Sequence, residues 1–104
     1  MKKGYVIVLL DVADRGLYVE YAKRATAIEA RYGGRPLVVG DARELVEGSW
    51  PAERTVILEF PSIDQVRAWY SDPDYQAIIP MRHDAAISHI LFIEGFADTE
   101  RVVP

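Results

Sequence analysis

The apolar positions of this 104-residue chain fall into blocks whose period changes along the sequence. Residues 5–12, YVIVLLDV, are β-branched or aliphatic at nearly every position, the pattern of a strand covered on both faces rather than one turned to water. Leu17, Tyr21, Ala25, Ile28 and Tyr32 then recur at three-to-four-residue spacing. They form one apolar stripe on a helix that Asp14 is placed to cap and that runs to about Tyr32. Gly33-Gly34 ends this helix, because a left-handed terminal residue is cheap only without a Cβ. RPLVVGD begins a second strand, with a bulge or bend expected at Gly40-Asp41. RELVEG is expected to continue as a short strand, SWPA to turn the chain over, and RTVILEF to form the third main strand.

The stretch from Ser62 to Ala85 starts as an amphipathic helix and is cut twice. Ser62-Ile63-Asp64-Gln65 is a capping box, in which the serine oxygen and the glutamine amide each satisfy an orphan backbone group. Ile63, Val66 and Trp69 or Tyr70 carry the buried face. Asp72 before Pro73 repeats the start signal, since proline at a first helical position gives up nothing the helix needs, so Ser71-Asp72-Pro73 reads as two helices meeting at a corner. Pro80 falls among Tyr75, Ile78 and Ile79, where it removes a backbone bond, and a kink or an early end is expected. Residues 86–96, AISHILFIEGF, read as the last strand.

The order βαββαβ most simply makes an α+β, ferredoxin-like domain: a four-stranded antiparallel sheet with the helices on one face. We expect one domain over 1–104, with a core at about 2–96 and a C-terminal tail at 97–104. The helix-free face then matters. On the first strand Tyr5, Ile7 and Leu9 oppose Val6, Val8 and Leu10, and on the last Ile87, Leu91 and Ile93 oppose Ile90 and Phe92. Both sides of such a sheet want burial, at about 25 cal/mol per Å² of apolar area, which predicts a homodimer packed through the helix-free face as a dimeric α+β barrel.

Composition narrows the partners. A net charge of -4 without any basic run argues against nucleic acid and against an anionic membrane surface. No apolar stretch approaches the ~20 residues of a membrane span. The start MKKGYVIVLLDVADR superficially copies a signal peptide, but Asp11 closes a short apolar run with no cleavage site after it, so a strand is expected instead. With no cysteine, disulfides and thiolate metal sites are excluded, which fits a reducing, cytoplasmic setting.

KGYVIVLLDV, YGGRPLVVG, VEGSWPAERTVILEFPS, AWYSDPDYQAI and IEG together resemble the bacterial domain-of-unknown-function family 1330, over roughly residues 2 to 96. Glu47-Gly48-x-Trp50 to Glu59-Phe60-Pro61-Ser62 and Trp69-Tyr70-Ser71-x-Pro73-x-Tyr75 are the specific part. The resemblance implies the dimeric α+β barrel group, which also holds cofactor-free monooxygenases, haem-degrading enzymes and muconolactone-isomerase-like proteins. It implies the fold and the dimer, and no particular reaction.

Candidate chemistry is sparse. His83 and His89 match no zinc or haem spacing, so no metal and no cofactor is expected. The leading expectation for both is a partly exposed histidine near an element end; the alternative for His89, which shares a side with Ile87 and Leu91, is a buried and hydrogen-bonded one. Asp11 and Glu59 end neighbouring strands without needing to be close, and such acids are usually solvated or pair with a nearby arginine such as Arg35. Glu59 is still the stronger catalytic candidate, since burial in an apolar run would raise its pKa. Tyr21, Trp69, Tyr70 and Tyr75 with Arg82 form the leading substrate-binding group. The aromatic residues suit a small organic molecule between helices and sheet, and Arg82 or His83 suits its anionic end. No dinucleotide, P-loop or nucleophile-elbow motif occurs. Three readings follow: a dimeric binder of a small aromatic or acidic ligand; a cofactor-independent monooxygenase- or isomerase-like enzyme, with Glu59 or His83 moving a proton; and a dimeric interaction module without a ligand.

Overall fold

The computed structural model describes residues 2–96, so the tail expected at 97–104 lies outside the described residues. The elements run β1 (Gly4–Val12), α1 (Arg15–Arg31), β2 (Arg35–Gly40), β3 (Arg54–Phe60), α2 (Ile63–Ser71), α3 (Pro73–Ala85) and β4 (Ala86–Glu94). The strands form one antiparallel sheet in the order β2-β3-β1-β4. Ile7 at the centre of β1 faces Ile57 on one side and Leu91 on the other.

The helix starts stand where the capping signals put them. The Asp14 carboxylate accepts from the Leu17 amide at 3.0 Å, the Ser62 hydroxyl from Gln65 at 3.2 Å, and the Asp72 carboxylate from Asp74 at 2.7 Å. Each satisfies a backbone donor that the first helical turn leaves open. Gly33 ends α1 at φ +75, and a Cβ on Gly34 would stand 2.4 Å from the Phe60 ring, so the pair serves both turn and packing.

β2 ends at Gly40 and the chain bends at Asp41 as expected, and a further register shift lies between Pro36 and Val38. Two expectations need correction. RELVEG forms no strand. Its two apolar residues are flanked by charges and stay exposed, Val46 at 82%, and Gly48 takes a left-handed φ of +78. Pro80 does not end its helix, because α3 continues through it to Ala85. Pro80 and Gln76, whose carbonyl loses its donor, are both exposed, and water can take the vacant position.

The core lies between sheet and helices. Val6, Val8 and Leu10 of β1 and Leu58 and Phe60 of β3 meet Tyr21, Ala25 and Ile28 of α1 and Trp69, Tyr75 and Ile78 of α2 and α3. Trp69, Tyr75 and Phe60 are its largest fully buried side chains, with ring centroids 4.3 Å apart for Trp69–Tyr75 and 5.4 Å for Trp69–Phe60. Burying side chains of this size contributes roughly 1.5–3 kcal/mol apiece. On the opposite face Tyr5, Ile7, Leu9 and Ile57 stay partly exposed, and Ile87, Leu91 and Ile93 are 70%, 51% and 51% exposed. His89 stands opposite Leu9 on this face and is exposed, not buried, because no described residue covers it. Among the described residues, no helix is long and apolar enough to cross a membrane.

Candidate functional site

Helix α1 does not close fully onto the sheet. A cavity of about 130 Å³ lies beneath it, floored by Val8 and Leu10 of β1 and Val56 and Leu58 of β3. Tyr18, Tyr21, Ala25 and Glu29 of α1 form the roof, Pro36 and Val39 of β2 lie at the edge, and Trp69, Tyr75 and Arg82 come in from α2 and α3. The corner at Asp72 directs these last two helices. The Asp72 carboxylate accepts from the Tyr32 hydroxyl and lies 3.8 Å from Arg31, and Arg31 also pairs with Asp74 at 2.7 Å, so the start of α3 is fastened to the end of α1.

The polar groups of the cavity are few and poorly matched within the protein. The hydroxyls of Tyr21 and Tyr75 share a hydrogen bond of 2.6 Å in the buried interior, and burial raises the pKa of both phenols. The guanidinium carbon of Arg82 stands 5.9 Å from the centroid of the Tyr21 ring. Its Nη1 donates to Ser88 Oγ at 2.7 Å, while its buried Nε has no partner, and no carboxylate among the described residues pairs with it. Arg82 is thus a cation at 3% exposure held by neutral groups. Trp69 Nε1 is likewise buried without an acceptor. Arg54 adds a second cation, its Nη1 on Asp41 at 3.0 Å and its guanidinium carbon 5.6 Å from the Tyr18 ring.

Glu29 completes the lining. At 7% exposure its carboxyl makes no hydrogen bond or ion pair with another described residue, and burial pushes that carboxyl up to about 7. Sequence reasoning missed this residue. The available signal was its spacing, four residues after Ala25 and eight after Tyr21, which sets it on the face carrying the aromatic groups.

Of the residues expected at the site, Tyr21, Trp69, Tyr75 and Arg82 meet in the cavity. Tyr70 does not line it. Half-buried, it packs against Trp69 and Tyr75 at 5.9 and 5.6 Å and against Phe92 of β4 at 5.5 Å. His83 is exposed on α3, outside the cavity lining. Glu59 also lies outside, beneath a shallow surface depression with Lys3 and Arg35. Arg35 donates to it at 2.9 and 3.1 Å, Tyr5 at 3.0 Å and Lys3 at 3.3 Å. The expectation of a raised pKa there is corrected: hydrogen bonds from Arg35 and Tyr5 outweigh burial and hold the carboxylate below its usual range. Asp11, at the other end of β1, accepts from the Glu53 amide at 2.9 Å.

The layered sheet and helices are those of ferredoxin-like α+β proteins, and solved structures share them. A protein of unknown function from Rhodopseudomonas palustris, RPA0582, superposes with a TM-score of 0.74 at 18% identity, covering 92% of this chain and 84% of that one. SnoaB, a cofactor-independent oxygenase from Streptomyces nogalater, gives 0.64 at 12% identity over 95% and 98% of the two chains. A dimeric ferredoxin-like protein of unknown function from Thermobifida fusca gives 0.60 at 13% identity over 88% and 90%. At these identities the likeness is one of fold. The chain belongs to the domain-of-unknown-function family DUF1330, whose model matches residues 3–96. No curated protein matches it.

Proposed function

We propose that the protein binds a small aromatic or acidic organic ligand in the cleft between α1 and the sheet, with Arg82 receiving the anionic end and Tyr21, Trp69 and Tyr75 the ring. The observation that carries this reading is Arg82 itself, a buried guanidinium that has, among the described residues, no carboxylate partner and no acceptor for its Nε, at the end of an apolar cavity. A buried charge is expensive unless paired, and a ligand carboxylate or phenolate supplies the missing partner. The size is consistent: a protein cavity of roughly 150 Å³ holds benzene, so about 130 Å³ suits a single six-membered ring. Tyr70 supports Trp69 and Tyr75 from behind. An interaction module with no ligand would fill this space with its own side chains, and the cavity favours the binding reading.

In the same proposal the protein is a cytoplasmic homodimer whose helix-free sheet faces pack together. The exposed Ile87, Leu91 and Ile93 support that interface, and the Thermobifida relative is described as dimeric. The lack of cysteine suits a reducing compartment.

Trp50→Phe leaves Trp69 as the single tryptophan of the chain, so benzoate can be titrated against Trp69 fluorescence alone. A saturable change is expected, weakened on the order of 30-fold by a further Arg82→Met, the equivalent of about 2 kcal/mol for a charge-assisted hydrogen bond. If neither benzoate nor phenol gave a saturable change at tens of millimolar, the binding reading would fall.

A further inference from the structure

Building on that ligand site, we infer that Glu29 is a catalytic residue that takes a proton from carbon beside the carbonyl of a single-ring ketone and returns it, while Arg82 holds the enolate oxygen. Glu59 and His83 lie outside the cavity lining, so neither is placed to move a proton on a molecule held there. Glu29 is placed to do so. It is buried as a residue, lines the cavity, and its carboxyl has no partner among the described residues, an arrangement that packing alone does not reward.

The groups facing it are of the right kind. Tyr18 and Tyr21 come from α1, Arg54 from β3, and Tyr75 and Arg82 from α3, with no second carboxylate among them. Negative charge developing on a bound oxygen would meet Arg82 and the Tyr21–Tyr75 hydroxyl pair, fixed donors in a mainly apolar cavity. Glu29 stands two helical turns beyond Tyr21, roughly 12 Å along the axis at the α-helical rise. Glu29 and Arg82 line the same cavity, whose volume suits one ring with its carbonyl. A carboxyl pushed up to about 7 by burial both accepts and returns a proton near neutrality.

The simplest reaction is an allylic proton shift. In a β,γ-unsaturated ketone, a Glu29 carboxylate oxygen takes the proton from C2. The C–H pair becomes the C1–C2 π bond, and the carbonyl π pair moves onto oxygen beside Arg82. The protonated Glu29 then gives the proton to C4, the oxygen pair re-forms the carbonyl, and the double bond moves from C3–C4 to C2–C3. Nothing is gained or lost overall, and no oxidant or cofactor takes part.

Cyclohex-3-enone is the probe, its conversion to cyclohex-2-enone followed by ultraviolet absorbance and by proton NMR in deuterated water. The wild-type protein should convert it with saturation above the buffer rate. Glu29→Gln should lose on the order of 100-fold or more of that rate while binding benzoate within about 3-fold of wild type, a range of under 1 kcal/mol, which also reports its folding. Glu29→Asp should retain part of the activity. Benzoate binding without any conversion, or conversion undiminished in Glu29→Gln, overturns the catalytic inference and leaves the ligand reading standing. Absence of both benzoate binding and conversion overturns the ligand reading and the inference with it.

Discussion

Arg82 and Glu29 bring opposite charges to one cavity, yet neither meets an ionised partner among the described residues. Arg82 was legible in the sequence, because it is a cation that follows the aromatic run Trp69, Tyr70, Tyr75 in the same twice-cut stretch. Glu29 was not, since a glutamate inside a helix is almost always solvated and only the packing of α1 shows otherwise. Glu59 shows the converse. The register sets it opposite Tyr5 on β1 and Arg35 on β2; the arginine was legible as a pairing partner, whereas the Tyr5 hydroxyl, a donor from the other neighbouring strand, was not. Glu29 also makes a pH prediction. Its folded pKa, about 7, lies above the ordinary carboxyl value of 4.5, so the folded state binds more protons in that interval. Its contribution is complete below pH 4.5 and declines as pH rises toward 7. Urea unfolding of wild type should therefore weaken across this window by up to about 3 kcal/mol, and Glu29→Gln should remove most of that decline. An unchanged slope in the variant would place the titration elsewhere.

At the scale of elements, capping chemistry was the most readable part of the chain. Asp14, Ser62 and Asp72 each hold a helix start, and the order of strands and helices follows from the change of hydrophobic period. What the local pattern missed depended on surroundings. RELVEG has strand-like residues but no neighbour to pair with, and Pro80 breaks a local rule on a face where water is available. Proline in a helix interior is roughly 3 kcal/mol less favourable than alanine, although its stiffness in the unfolded chain offsets part of this. Pro80→Ala should therefore stabilise the protein by about 1–2 kcal/mol, read as a higher urea midpoint with an unchanged slope. A lower midpoint would mean that the proline fixes a bend on which the packing of Tyr75 and Ile78 relies.

The whole molecule rests on a sheet that is apolar on two sides. One side carries the core and the cleft, covered by the protein's own helices. The other exposes Ile87, Leu91 and Ile93 around a centre formed by Ile7 and Ile57. This two-sidedness is legible in the first strand alone, because YVIVLLDV does not alternate with polar residues. The partner that would cover the second side is not legible there, since a strand's sequence reports that it wants burial and not by what. A sister copy is the covering we propose, and a charge at the middle of that face should prevent it while leaving the helix side intact. Light scattering coupled to size-exclusion chromatography, run at micromolar concentration on the wild type beside Leu91→Asp, tests this most directly. The predicted result is a mass of two chains for the wild type and of one folded chain for the variant; a wild type that runs as a soluble, folded single chain contradicts it.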